Sequence, residues 1–561
     1  MTPAHVGIRP EPGPARGGRR LGCVPVSPSA AVPSAGRVET AQPTPLRPLT
    51  SPGLTLSELA RRVGVPDASA ESADDVRVDG VTLSSARVRP GDLFAALPGA
   101  HAHGARFAAA ARRAGAVAVL TDPAGAERIA AEAAQTPEQS GRSETVLERM
   151  LVVADPRAAL GPIASAVYGD PSHRLAVAGV TGTSGKTTTT FLIRAGLRAA
   201  GRSTGLIGTV GTFIGADPVP GGLTTPEAPD LQALLAVMAE RGITDAAMEV
   251  SSHALALDRV GGTRFAVAAF TNLSQDHLEF HAGMRDYFEA KARLFDGRAE
   301  RHVVVTDDVW GRELAGRLGP GTVTVSTTDS KPDPDATWTA TDILTAADGR
   351  TRFRAVGPAG AVPAGCAIPG RYNVANVLLA LAVLDALGVA PDVAAPAVAQ
   401  AQVPGRMERI EAGQAFLAVV DYAHKPAAVD GALRALRALT AARLIVVLGC
   451  GGDRDRDKRP VMGRVAAEQA DVLIVTDDNP RSEDPGSIRR AVLDGARAVS
   501  GGAQISEIGD RANAIAAAVA MARAGDTVLV AGKGHETGQD VGGVIHSFDD
   551  REVLRELLTH R

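Results

Sequence analysis

The segment Gly179–Thr190 reads GVTGTSGKTTTT. It follows the short apolar run Leu175–Val180 and leads into KTTTTFLIRAGLRAAG, a helical pattern that stops at Gly201. Strand, glycine-rich loop and helix, in that order, form the context that a phosphate cradle requires. Glycines at 182 and 185 let backbone N–H groups approach phosphate oxygens, and the start of the helix adds a favourable dipole. In such a loop Lys186 reaches the β- and γ-phosphates and Thr187 holds Mg2+. The strict spacing of two glycines five apart before Gly-Lys is not met, because Val180 stands at the first of them. A Gly/Thr-rich turn with an incidental lysine is the competing reading, and the flanking strand and helix disfavour it.

Further polar clusters follow other apolar runs. MEVSSHAL puts Glu249 at a strand end, where a carboxylate can ligate the same Mg2+, although a lone acid there is more often a turn or cap. TNLSQDHLEFH places Asn272, Asp276, His277 and His281 just past another strand, and VDYAHKPAAV places Asp421, Tyr422 and His424 past a third. GCGGDRDRDKRPVM groups Asp453, Arg454, Asp455, Lys458 and Arg459 behind a glycine turn; a solvated charged loop is its bland alternative. TDDNPRSEDP supplies Asp478, Asn479, Pro480 and Arg481, and AGKGHE adds Gly532 and Glu536. Aspartate for a cation and arginine for a bidentate anion suit a ligand with both ammonium and carboxylate groups. RDYFEAKARLF puts Lys291 on a predicted helix, where a lysine is ordinarily solvated.

These residues need strands ending side by side, and the chain supplies them. From Leu175, apolar runs alternate with helical patterns, which predicts parallel sheets with crossovers. In open sheets of this kind ligands sit at the carboxyl ends of the strands. Three α/β regions are expected, at residues 51–172, 173–402 and 403–561, preceded by a disordered extension over 1–50 rich in Pro, Gly, Ser and Arg. At 561 residues, 45% hydrophobic and 22% charged, the composition is that of a globular protein. A net charge of -4 gives no basic excess for nucleic acid or an anionic membrane surface. No apolar run reaches the roughly 18 residues of a membrane helix. The 3 cysteines, Cys23, Cys366 and Cys450, make no metal pattern and fit a reducing cytoplasm.

Taken together, the motifs resemble those of the Mur ligases, ATP-dependent amide-forming enzymes of peptidoglycan synthesis. The resemblance covers roughly residues 54–561 and rests on GVTGTSGKTTTT, TTPEAPDLQ, MEVSSHAL, FTNLSQDHLEFH, PGRYNVANVLLA, VPGRMERI, VDYAHKP, GCGGDRD, TDDNPRSEDP and AGKGHE. In that family the phosphate loop reads Gly-Thr-Asn/Ser-Gly-Lys-Thr, so Val180 is no departure. The resemblance implies a three-domain α/β architecture: a UDP-binding N-terminal domain, a central P-loop domain with a parallel sheet for ATP, and a Rossmann-like C-terminal α/β domain for the incoming amino acid. ATP contacts would be Gly182, Thr183, Ser184, Gly185, Lys186, Thr187 and Thr188, with Asn376, Arg406, Asp421 and His424 around the nucleotide. Mg2+ would be held through Thr187, Glu249 and His277. Lys291 matches a lysine carbamylated to N6-carboxylysine that helps to hold a second Mg2+, and Lys186, Lys291 and His277 form the catalytic set. Ser85, Thr224, Thr225, Ser251 and Arg259 match contacts of a UDP-N-acetylmuramoyl dipeptide. Arg454, Asp478, Asn479, Pro480, Arg481, Gly532 and Glu536 match contacts of meso-diaminopimelate. The chain departs from the pattern at Ser84-Ser85-Ala86, where Asp-Ser-Arg is usual, at Asp457 and at Leu257.

The implied reaction is acyl activation: ATP phosphorylates a carboxylate, and an amine displaces the phosphate. Protein groups position the substrates and neutralise charge. A sister ligase that adds L-lysine is the nearest competitor, and Arg481, able to pair with a distal carboxylate that lysine lacks, separates the two. Folylpolyglutamate synthetase shares the central plan but not the first region or the DNPR stretch. A non-catalytic ATP sensor is disfavoured by the presence of Lys186, Thr187, Glu249, His277 and Lys291 together. Small-molecule partners, a cytoplasmic location and a monomeric state complete the expectation.

Overall fold

The computed structural model describes residues 46–64, 76–99, 102–134, 149–219, 221–278, 280–327, 335–346 and 349–561. Most of the extension over 1–50, and Cys23, lie outside the described residues. Residues 46–50 are packed on the body: the Arg47 guanidinium pairs with Asp92, and the backbone N–H groups of Leu49 and Thr50 donate to the Glu240 carboxylate at 3.0 Å.

The first region carries a parallel four-stranded sheet, β1 (Gly80–Thr82), β2 (Asp92–Ala95), β3 (Ala118–Thr121) and β4 (Met150–Val152), paired in chain order. Helix α1 (Pro156–Val167) is capped by Asp155 and buries Leu160, Ile163 and Val167 against the sheet.

The central sheet has 11 strands. Its elements are β5 (Ala176–Thr181), α2 (Lys186–Ala199), β6 (Thr204–Gly208), β7 (Gly211–Ile214), β8 (Asp217–Val219), α3 (Ala228–Glu240), β9 (Asp245–Glu249), β10 (Phe265–Phe270), α4 (Met284–Ala292), β11 (Ala299–Val305), β12 (Val323–Ser326), β13 (Trp338–Thr345), β14 (Thr351–Gly357), β15 (Gly360–Cys366) and α5 (Asn373–Ala386). Strand order is β8-β7-β6-β9-β5-β10-β11-β12-β13-β14-β15. The stretch from β6 to β13 is parallel throughout; antiparallel strands flank it at both ends. Its middle strands are buried on both faces, which is why they read as unbroken apolar runs. The antiparallel wing β13–β15 was not legible from its mixed polar sequence.

The last region is a sheet of 6 strands in which the two-residue strand Glu408–Arg409 precedes β16 (Leu417–Asp421). Then come α6 (Pro426–Arg437), β17 (Leu444–Cys450), α7 (Lys458–Gln469), β18 (Val472–Asp477), α8 (Pro485–Arg497), β19 (Gln504–Glu507), α9 (Arg511–Met521), β20 (Thr527–Ala531), the hairpin β21 (Gly538–Val541) and β22 (Val544–Ser547), and α10 (Asp550–Thr559). The order β16-β20-β17-β18-β19 is parallel, so the carboxyl ends at Asp421, Ala531, Cys450 and Asp477 lie side by side as expected. One continuous apolar cluster runs from Val180 through Leu378 to Val446, joining the central and last sheets. Among the described residues no helix is long and apolar enough to cross a membrane. Cys366 and Cys450 are buried free thiols.

Candidate active site

Strand β5 delivers the loop 182–185 to the N-terminus of α2. Gly182 and Gly185 have φ values of 145° and 90°, in the region that favours glycine. A Cβ on Gly185 would stand 2.4 Å from Asn376 Oδ1 on α5, and one on Gly182 would stand 1.8 Å from Thr271 Oγ1. The loop is held from outside: Thr183 N donates to Asn272 O (2.9 Å), Ser184 N donates to Asn272 Oδ1 (3.1 Å), and Thr271 Oγ1 donates to Ser184 O (2.7 Å). Thr188 is buried in the first turn of α2.

Lys186 Nζ donates to Gly182 O (2.8 Å) and Thr183 O (3.0 Å), and burial lowers its pKa to about 8 against the opposing pull of Glu249. Lys291 was expected to be solvated, yet its side chain is only 1% exposed. Its Nζ donates to the same Gly182 oxygen at 2.7 Å and lies 4.5 Å from the centre of the Tyr287 ring. Burial first, and then nearby Lys186, pushes this ammonium well down. Helix periodicity could not show that α4 turns this lysine inward. Two ammonium groups meeting on one carbonyl, beside a glycine loop whose Cβ positions are filled by neighbours, fit a polyphosphate.

Glu249, 1% exposed, closes the other side of the loop. Its carboxylate accepts from Thr187 Oγ1 (3.0 Å), Thr209 N (2.8 Å) and Thr209 Oγ1 (3.1 Å). Thr209 Oγ1 is 3.0 Å from Thr224 Oγ1; Thr225 Oγ1 donates to Glu249 O (2.9 Å) and accepts from Ser251 N (3.1 Å). Thr187, Glu249, Thr224, Thr225 and Ser251 thus form one patch. The Thr187 hydroxyl and Glu249 carboxylate offer oxygens to a hard cation. Among the described residues no three His, Cys, Asp or Glu side chains form a metal cluster, so a cation here would complete its shell with phosphate oxygens or water. His277 adopts a φ of 53° with its side chain 36% exposed, among the rings of His253 and Tyr287 and 3.4 Å from Asp276. Arg259 ion-pairs with Glu227 at 2.8 Å, and Arg157 of the first region holds the other Glu227 oxygen at 2.7 Å. Ser85 opens a short 3-10 turn just after β1 and is half-buried.

The last region faces this loop. Asp421 does not point at open space: its carboxylate accepts from the backbone of Met407 (2.6 Å) and Ala423 (2.9 Å), and burial raises its pKa against the effect of Arg406. Arg406 lies over the Tyr422 ring, 4.3 Å from its centre. His424 donates from Nδ1 to Tyr422 O (2.7 Å) and stays neutral, its pKa lowered to about 4 by burial. Lys425 pairs with Asp276 of the central region at 2.5 Å.

Past β18, Asn479 Nδ2 donates to Glu536 Oε2 (2.8 Å) and Arg481 Nη1 to Gly452 O (2.7 Å). Arg481 has a φ of 51° after Pro480. Its backbone is bonded into the hairpin: Arg481 N donates to Asp540 O (3.0 Å) and Gly542 N to Arg481 O (2.7 Å). Gln539 Nε2 donates to Asp478 O (2.7 Å). Gly532, at φ 119°, leaves room for the Asp478 carboxylate, which would lie 2.5 Å from a Cβ there. Arg454 is exposed, and its Nη1 donates to Asp453 O (3.0 Å). Asp478, Asn479, Arg481, Gly532 and Glu536 are brought together, with Arg454 outside on its loop. Sequence reading passed over Thr209, Lys425 and Lys533; a lysine between two glycines directly after a buried strand was the available signal for the last.

A glycine cradle carrying paired lysines on one sheet, facing strand ends rich in Asp, Asn and Arg on another, defines a ligase that couples a nucleotide to the joining of two small molecules. Three family models match: "Mur ligase family, catalytic domain" over residues 77–168, "Mur ligase middle domain" over 180–384, and "Mur ligase, glutamate ligase domain" over 405–534. The chain belongs to the Mur ligase family. It is 52% identical over 525 residues to the UDP-N-acetylmuramoyl-L-alanyl-D-glutamate--2,6-diaminopimelate ligase of Streptomyces coelicolor, covering 92% of this chain and 98% of that one. It is 49% identical to the ligase of the same name from Corynebacterium efficiens, covering 92% and 97%. A solved structure of a UDP-N-acetylmuramoyl-L-alanyl-D-glutamate--2,6-diaminopimelate ligase superposes with a TM-score of 0.64 at 31% identity, covering 90% of this chain and 99% of that chain.

Proposed function

We propose that the chain ligates meso-2,6-diaminopimelate to UDP-N-acetylmuramoyl-L-alanyl-D-glutamate at the expense of ATP, in the cytoplasm and as a monomer. The observation that carries this reading is the pairing of a phosphate loop bearing Lys186 and Lys291 with a facing cluster of Asp478, Asn479, Arg481 and Glu536. In this reading residues 51–172 take the UDP moiety, 173–402 take ATP, and 403–561 take the amino acid. The γ-carboxylate of the D-glutamyl residue takes the γ-phosphoryl group of ATP, giving an acyl phosphate and ADP. An amine of diaminopimelate then attacks the acyl carbon, phosphate leaves and an amide forms. The protein's part is to hold the reactants in line and offset charge. Lys186 leaves the carbonyls of Gly182 and Thr183 for the phosphates, while Ser85, Thr224, Thr225, Ser251 and Arg259 hold the acyl substrate. Mg2+ would be held by Thr187 and Glu249, with His277 nearby, and would supply charge neutralisation at the transferring group.

Lys291 in this reading is carbamylated: its neutral amine adds CO2 and releases a proton. The product is an anion in place of the second of two lysine amines that share the Gly182 carbonyl. With 13C-labelled bicarbonate, a carbamate carbon resonance is expected in the native chain and not in Lys291→Arg; its persistence in the variant would remove the assignment.

The reaction itself is tested with purified protein, ATP, Mg2+ and the UDP-muramoyl dipeptide, measuring phosphate release with each candidate amino acid. Release should depend on meso-diaminopimelate. Release without any amino acid would overturn ligation, and equal release with L-lysine would favour the sister specificity. Arg481→Ala is expected to raise KM for diaminopimelate at least tenfold while leaving KM for ATP within twofold, the scale of one lost charge-assisted pair.

A further inference from the structure

Lys533 lies between Gly532 and Gly534 at the end of β20, and its side chain is 0% exposed. A primary ammonium has three hydrogens to donate. Here all three are spent inside the protein: on Asn479 Oδ1 (3.0 Å), on Glu536 Oε2 (3.1 Å) and on Gly538 O (2.6 Å). The lysine therefore has nothing left for a ligand and no surface on which to meet one.

Its partners are differently placed. Asn479 Oδ1 also accepts from Asp540 N (3.0 Å), so both of its lone pairs are used. That fixes the amide's orientation, since a flipped amide would set its NH2 against the ammonium. Asn479 Nδ2 then donates to Glu536 Oε2 (2.8 Å), the same oxygen that Lys533 holds. Glu536 Oε1 and the second Nδ2 hydrogen keep no protein hydrogen bond among the described residues, and the Glu536 side chain is 30% exposed. One negatively charged acceptor on the partly exposed Glu536 and one unspent donor on Asn479, itself 7% exposed, are thus left at this site. That pair matches the ammonium and carboxylate of an α-amino acid.

We infer that Lys533 is a positioning residue: from beneath the amino-acid site it locks Asn479 and Glu536 so that one carboxylate oxygen and one amide N–H face the incoming substrate. This rests on the proposed assignment of Asn479 and Glu536 to the amino-acid site. Its effect is confined to that substrate, because its three hydrogens all go to acceptors of the last region, Asn479, Glu536 and Gly538.

The test compares the native chain with Lys533→Met, Glu536→Gln and the double variant, measuring KM for each of the three substrates, kcat and thermal stability. Native activity that depends on diaminopimelate is established first, so that a failure of the ligase reading shows before any variant is made. Lys533→Met is expected to raise KM for diaminopimelate tenfold or more, with KM for ATP and for the UDP substrate within twofold. The double variant is expected to have a diaminopimelate KM above that of Glu536→Gln but at least threefold below the product of the two single effects, since the lysine acts through the amide and the carboxylate together. If Lys533→Met does not fold, the charge-neutral double variant set against Glu536→Gln reports the part that runs through Asn479, expected as a further rise in the diaminopimelate KM alone; no rise would overturn the inference. An unchanged diaminopimelate KM, independent multiplication of the two single effects, or equal rises in all three KM values would each overturn the inference.

Discussion

At the residue scale the glycine loop makes the sharpest statement. Gly185 holds a left-handed φ of 90° and has Asn376 Oδ1 where a Cβ would go. Gly185→Ala therefore meets both strain of about 1–2 kcal/mol and a steric clash. It is expected to weaken ATP binding at least tenfold in calorimetry while thermal stability without nucleotide falls only modestly. The loop's chemistry was legible because glycine, lysine and threonine occur at a spacing tied to one backbone shape. Lys291 was not legible by the same route. Its burial depends on which side of α4 meets the sheet, and a lysine on a short helix carries no mark of that; only the family resemblance singled it out. Asp421 shows the converse. Its type and place at a strand end read as a ligand contact, and its carboxylate accepts from the backbone of Met407 and Ala423, so in the proposed reading it would act on the nucleotide through that loop.

At the scale of elements, the four apolar runs of the last region are legible as strands in the sequence, and the structure sets their carboxyl ends side by side. The wing β13–β15 and the hairpin β21–β22 were not, because partly exposed antiparallel strands alternate polar and apolar residues over short lengths. What holds the strand ends in register was also hidden. Arg511 at the start of α9 and Asp550 at the start of α10 form a pair with both side chains 0% exposed, at 2.7 Å. Arg511 also donates to Asp477 O (3.2 Å) and Ala531 O (3.0 Å), the last residues of β18 and β20. Arg511→Met strands a buried carboxylate and frees both carbonyls. A loss of about 3–5 kcal/mol is expected in denaturant unfolding, with the double change Arg511→Met, Asp550→Leu recovering part of it.

For the whole molecule, buried histidines make stability depend on pH. His424 and His535 both have pKa values lowered to about 4 by burial. His424 faces Tyr422 O, Lys425, Lys458 and Arg406; His535 faces Arg406, Arg551, Asp549 and the backbone of Thr209. In the unfolded chain a histidine titrates near 6.5. Between about pH 6.5 and 4 the unfolded chain binds more protons than the folded one, so stability falls as the pH drops through that window and is flat above it. Each unit of pKa difference is worth about 1.4 kcal/mol. Unfolding midpoints at pH 7.5 and 5 should differ, and His535→Gln should shrink the difference; an unchanged pH dependence in that variant would show the histidine to be already solvated. The same residue bonds to the backbone of Thr209, which holds Glu249, so His535 ties the last region to the patch around that carboxylate. Lys425 and Asp276 span that boundary too, and no local sequence pattern announces a partner 149 residues away.

The hairpin β21–β22 grips Arg481 through main-chain atoms: Asp540 O accepts from its N–H, and Gly542 N donates to its carbonyl. Such bonds are indifferent to side-chain identity, so exchanging the Asp540 side chain leaves the arginine its posture, whereas Gln539 is tied by its own side chain to Asp478 O. They are not indifferent to length. An insertion or deletion at the Gly542–Gly543 turn would slide the register and re-aim the arginine with no change to any ligand-facing side chain. Retargeting this scaffold to another amine is thus as much a matter of splicing as of substitution.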